Sequence, residues 1–203
     1  GKLGLDDKVT SHLGASFGVH GKGGVTVRHL LTHTAGFHAW YPFHQMGLRD
    51  RDAIIDFIMQ SEPVYRPGSA WRYSDLSMIV LGLVIEKVSG MPLDQFAQTK
   101  IFAPLGMTAT GYRTTADVTW DTRIVPTEVD CTVRDRLLWG EVHDLNCHLM
   151  GNVSGHAGLF SSLRDITRFD PAISLRPLWC ALELIDADSH RCCRCLQVLH
   201  YRD

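Results

Sequence analysis

The chain has 203 residues, of which 45% are apolar, 9% aromatic and 21% charged, a balance that suits one compact domain burying roughly 70% of the surface its unfolded form exposes. The 20 Lys and Arg face 22 Asp and Glu, for a formal charge of -2, so composition supplies no basic face for nucleic acid. No apolar run approaches the ~20 residues needed to cross a bilayer; the longest, Met78 to Ile85, is interrupted by Gly82 and ends at Glu86 and Lys87.

In chain order, Thr26 before "VRHLLTH" predicts a capped helix, with Val27, Leu30 and Leu31 on one face and an end near Gly36. Asp50 or Asp52 opens a second amphipathic helix through "AIIDFIMQ", closed near Pro63. Pro67-Gly68 marks a turn. From Leu76 to Val88 apolar residues occupy nearly every face, the pattern of a buried helix; Asp75 is a good N-cap, Gly90 supplies the stop and Pro92 starts "PLDQFAQTKIF". After Gly106 come short β-prone pieces, "GYRTT" and "TRIVPTEV", then "WGEVHDLN" and the glycine-punctuated "MGNVSGHAGLFSS". Ser162 with Asp165 forms a capping pattern for "LRDITRF". Helices followed by strands, with no βαβ rhythm, predict an α+β fold.

Beyond Phe169 the composition changes, since all 18 glycines precede that point while Cys180, Cys192, Cys193 and Cys195 crowd the remaining stretch. Residues 1–170 are expected to form the folded domain and 171–203 a divergent Cys-rich tail, disordered or frameshifted. "HRCCRC" with His190 could hold a soft metal, but its spacing fits no paired zinc motif.

The stretches "GKLGLDDKV", "VTVRHLLTHTAGF", "YRPGSAWRYSDLSMIVLGLVIEKVSGMPLDQFAQTKIFAPLGMTAT", "GEVHD" and "GHAGLFSS", in that order, resemble a serine hydrolase of the β-lactamase and penicillin-binding-protein superfamily, in the class C-like branch with esterases and D-alanyl-D-alanine peptidases. The resemblance implies a β-lactamase/transpeptidase-like fold, an antiparallel sheet flanked by helices with a helical lobe, here truncated at both ends. It also implies acyl transfer by three elements: a Ser-x-x-Lys nucleophile, a Tyr-x-Asn whose tyrosine serves as base and then acid, and a strand carrying Lys-Thr-Gly or His-x-Gly beside the oxyanion hole. Tyr73, Ser74 and Asp75 match the second, and His156, Ala157 and Gly158 the third. Catalytic roles thereby fall to Tyr73, His156 and Gly158, and substrate contacts to Ser74, Asp75, Ala157 and, from "GEVHD", His143 and Asp144.

The chemistry of these residue types is coherent. A phenol near its free pKa of ~10 is a weak base at neutral pH and needs cationic neighbours to share its proton. Gly158 would let substrate approach the strand closely, and His156 could orient substrate or supply positive charge. Two departures stand out. Asp75 replaces Asn, exchanging a hydrogen-bond donor for an acceptor. None of Lys2, Lys8, Lys22, Lys87 and Lys100 has a serine three positions before it, so the nucleophile motif is expected outside these residues, upstream of "GKL".

Other motifs compete with this reading. "GASFG", Gly14 to Gly18, has the form of a nucleophile elbow around Ser16, but its flanks supply neither the strand nor the helix that an elbow requires. His29 and His33 at i, i+4 suggest a metal pair, with Leu30 where zinc hydrolases carry Glu; His143, Asp144 and His148 are a second such set. The expectation is therefore no cofactor and no metal, and an ester, β-lactam or D-Ala peptide as substrate. A non-catalytic pseudo-enzyme that binds peptidoglycan or a protein partner and a metal-dependent hydrolase remain as alternatives. By resemblance the setting is the cell envelope or the exterior, with any targeting segment outside the sequence.

Overall fold

The computed structural model describes residues 1–113 and 124–174. The tail cysteines, His190 and parts of "GYRTT" and "TRIVPTEV" lie outside them. Seven α-helices are described: α1 Val9–Leu13, α2 Val27–Leu31, α3 Arg51–Gln60, α4 Asp75–Ser89, α5 Leu93–Ala97, α6 Leu145–Leu149 and α7 Leu163–Ser174. Among the described residues β1 Gly111–Tyr112 pairs antiparallel with β4 Leu159–Phe160, and β2 Glu128–Asp130 with β3 Arg136–Leu138. In register, Tyr112 stands opposite Leu159 and Val129 opposite Leu137.

Local chemistry accounts for most of the helix ends. Thr26 and His29 form a reciprocal capping box, and Asp50 accepts from the Ala53 N–H. Gly90, in the left-handed region at φ 71°, stops α4. Two ends differ from expectation. α2 stops at Leu31, because the Thr32 hydroxyl donates back to the Arg28 carbonyl and His33 turns left-handed at φ 55°. Ser74 rather than Asp75 caps α4, its Oγ accepting from the Ser77 N–H at 3.2 Å. "QTKIF" continues α5 as a wider π-type turn, Gln98–Phe102.

The principal core joins α1 to α4: Val9, Leu30, Ile54, Ile58, Leu76, Ile79, Val80 and Val84 pack with Phe17, Phe37 and Phe43, all almost completely buried. Each such side chain contributes on the order of 1.5–3 kcal/mol of transfer free energy before entropy is counted. α4 is the organising element, packed against α1, α2 and α5. A smaller cluster of Ala97, Phe102 and Met107, backed by Tyr112 and Phe169, ties α5 to β1 and α7. No single helix among the described residues is long and apolar enough to cross a membrane.

Residues 152–158 form a bend laid directly on α4. A Cβ on Gly155 would collide with the Met78 carbonyl, and Gly82 on the helix faces the Gly155 backbone. Only two glycines allow this approach, and it carries His156 to the mouth of α4.

Candidate active site

The site begins with the chain entering α4. Capping occupies the Ser74 hydroxyl, which also donates to the His38 carbonyl at 2.7 Å, while the Asp75 N–H donates to the Ala39 carbonyl at 2.8 Å. With Ser74 serving as cap, the Asp75 carboxylate is left for its neighbours. Tyr73, His156 and His33 favour its ionisation, and the Asp144 carboxylate opposes it. Tyr73 is 39% exposed and packs on the His33 ring, centroid to centroid 4.8 Å.

Two loops complete the cluster. Asp144 caps α6, its Oδ1 accepting from the Cys147 N–H at 2.7 Å. The same oxygen lies 2.9 Å from Nε2 of His156, whose Nδ1 lies 2.8 Å from the Ser154 hydroxyl. The His156 side chain is only 2% exposed, so both ring nitrogens are committed inside the protein. The Tyr112 hydroxyl donates to the Ser154 carbonyl at 3.2 Å, fastening this chain of contacts to β1.

The electrostatics of the cluster are acidic. Burial pushes the Tyr73 phenol up to about 12, and the Asp75 and Asp144 carboxylates add to the shift. Burial also raises Asp75, with His156 and Tyr73 pulling the other way. For Asp144 burial opposes ionisation, but His156 and the Cys147 N–H outweigh it and hold the carboxyl below its ordinary value. Tyr73 is therefore a phenol that keeps its proton at neutral pH. As arranged it can donate a proton; to accept one it needs a cation brought close.

Tyr73, Ser74, Asp75, Asp144 and His156 thus lie in one cluster, while the backbone that carries His156 and the positions of the remaining expected residues differ from the expected pattern. His156, Ala157 and Gly158 lie on the bend before β4, not on a strand. Gly158 has φ 106°, and a Cβ there would collide with the Asn152 carbonyl; internal packing, rather than substrate clearance, accounts for the glycine. The Ala157 carbonyl accepts from the Cys147 thiol at 3.2 Å. His143 turns outward, its side chain 71% exposed and its Nε2 3.1 Å from a Glu128 oxygen.

The two suggested histidine pairings also separate. His29 spends Nδ1 on the Thr26 N–H, His33 has left the helix, and His148 Nδ1 lies 3.0 Å from Asn152 Oδ1. Among the described residues no three His, Cys, Asp or Glu gather as a metal set. The residue that sequence reasoning missed is His33, weighed only as a metal ligand. Its contacts with Tyr73 and Ser74 span 40 and 41 positions, and no local signal announces them.

Comparison with known proteins decides the family. The family model described as Beta-lactamase matches residues 1–185. The chain belongs to the Beta-lactamase family. A protein of Escherichia coli (strain K12), provisionally named a D-alanyl-D-alanine carboxypeptidase, is 33% identical over 82% of this chain and 43% of its own length. A similarly named protein of Salmonella agona (strain SL483) is 34% identical over 73% of this chain and 38% of its own. The chain thus spans less than half the length of these curated relatives. Among solved structures, the octameric penicillin-binding protein homologue from Pyrococcus abyssi aligns with a TM-score of 0.62 at 26% identity, over 85% of this chain and 39% of that one. The β-lactamase/D-alanine carboxypeptidase from Pseudomonas syringae aligns with a TM-score of 0.64 at 25% identity, over 89% and 48%. The β-lactamase-family fold, α+β in class, is thereby established for this chain.

Proposed function

We propose that these residues carry the acid–base portion of a serine acyl hydrolase that forms an acyl-enzyme with D-Ala peptides or β-lactams, its attacking serine lying in a part of the protein outside these 203 residues. The observation that carries this reading is the convergence of Tyr73 and Asp75 at the mouth of α4 with the Asp144–His156 pair. The names of the E. coli, Salmonella and P. syringae relatives support the substrate class.

Each residue has a role fitted to its surroundings. The Tyr73 phenol, proton retained, is suited to protonate the leaving amine as the acyl-enzyme forms. Accepting the serine proton beforehand requires a cation close to the phenol, and a Ser-x-x-Lys lysine would supply it. Asp75, in the place of an Asn donor, sets negative charge beside the phenol and so helps it keep its proton. Asp144 and Ser154 fix the His156 ring, so that its contribution is electrostatic and positional.

The test compares this chain with a longer version of the protein that includes a Ser-x-x-Lys. The longer protein is expected to release D-Ala from a D-Ala-D-Ala peptide or to open a chromogenic cephalosporin. Tyr73→Phe should lower that rate by about 10²–10⁴-fold, the usual worth of a positioned acid–base group. The 203-residue chain should turn over neither substrate. A covalent acyl adduct on any serine of this chain would overturn the reading.

A further inference from the structure

We propose that His33 is the positioning residue for Tyr73, gripping the chain on both sides of the phenol while its ring forms the wall on which the phenol rests. The proposal rests on the acid–base reading of Tyr73 for its functional meaning, but its geometry stands separately. Five contacts converge on this one residue. Nδ1 accepts from the Ser74 N–H at 3.2 Å, one residue after Tyr73. The His33 carbonyl accepts from the Arg72 N–H at 3.0 Å, one residue before it. The imidazole packs against the phenol at 4.8 Å and meets Trp71 edge-on at 6.5 Å. From the far side, the Tyr65 hydroxyl donates to the same His33 carbonyl at 3.3 Å.

The left-handed backbone at φ 55° makes this grip possible. It turns residue 33 out of the line of α2, so that ring and carbonyl both face the 71–74 segment. Because the Ser74 N–H points at Nδ1, that nitrogen must present its lone pair, and the ring must be the tautomer protonated at Nε2. Protonation at Nδ1 would set donor against donor and release the Ser74 side of the grip. Tyr73, Asp75 and Tyr65 are the titratable groups that face His33, and of these the Asp75 carboxylate favours its charged form. Burial outweighs that influence and holds His33 below the ordinary imidazole value.

The test uses NMR of the 203-residue chain and needs no turnover, so a failed hydrolase assay and a failed positioning test are distinguishable. Glycine and asparagine both accept a left-handed backbone, which makes His33→Gly and His33→Asn fair variants. Asn retains an acceptor, Oδ1, near the place of Nδ1 but cannot titrate. At pH 7 the native chain should show the Nε2–H tautomer and a protected Ser74 amide. On acidification through the His33 titration, Ser74 protection should fall by about tenfold or more, the worth of one lost hydrogen bond of this kind, and the Tyr73 ring resonances should shift. His33→Gly should show the loss at every pH, whereas His33→Asn should keep Ser74 protected in acid. An unchanged Ser74 amide and Tyr73 ring in His33→Gly, or acid loss persisting in His33→Asn, would overturn the proposal.

Discussion

The helical lobe and the β2–β3 hairpin are held together by different forces, and the candidate site lies where they meet. Around α4 the support is apolar: Leu30, Ile54, Ile79, Val80 and Phe43 are sealed from solvent. The hairpin depends on charge. Asp130 accepts from the Thr132 and Val133 N–H groups at 2.9 and 3.1 Å and from Arg134 Nε at 2.7 Å. Arg134 then donates to the Val142 and His143 carbonyls at 2.9 and 2.7 Å, so that the hairpin reaches the residue just before Asp144. Tyr73, Asp75 and His33 belong to the apolar side, Asp144 to the charged side. His156 sits on the bend between them, and interactions with different sensitivities thus support the two halves of the site.

Three perturbations sharpen this contrast. The largest effect is expected at the seam. Gly155→Ala would force a methyl group into the Met78 carbonyl and should cost about 1–3 kcal/mol in denaturant unfolding, together with movement of the His156 resonances. A normal stability curve with His156 unmoved would show that the bend is not seated on α4. Ser74→Ala comes next. Loss of the α4 cap should cost about 1 kcal/mol and raise amide exchange at Ser77 while leaving residues 128–138 untouched; equal effects in both regions would erase the distinction.

Acid should separate the halves with the smallest change in global stability. The folded pKa of His33 is lowered, so just below the unfolded value of ~6.5 the unfolded chain binds more protons and stability falls with falling pH. Asp130 is lowered by Arg134 first, then by the turn N–H groups. Its support is complete above ~4 and is lost only as pH drops through its depressed value. Residue-resolved amide exchange should therefore show Ser74 opening in mild acid, below the ordinary imidazole value, and the hairpin opening only in stronger acid. The reverse order would contradict the contrast.

Much of this was legible locally. Thr26, Asp50, Gly90 and Ser162 signalled their helix ends because capping involves neighbours three or four positions away. "YSD" and "GEVHD…GHAG" marked the side chains that gather. What stayed illegible depends on distant backbone. Ser74 rather than Asp75 became the cap because the His38 and Ala39 carbonyls fix the local chain direction. His143 and Asp144 are adjacent in sequence, yet one faces Glu128 and the other His156. The left-handed turn at His33, which separates it from the His29 face, is visible only once the loop is folded.

The glycine pair at 82 and 155 also has a mechanical meaning. With no side chain between helix and bend, there is no soft layer to absorb displacement. A sliding or tilting of α4 by a fraction of an ångström would be passed on to the imidazole beside its first turn. Phenol and imidazole are in effect mounted on one shaft, so whatever seats that shaft would align both at once.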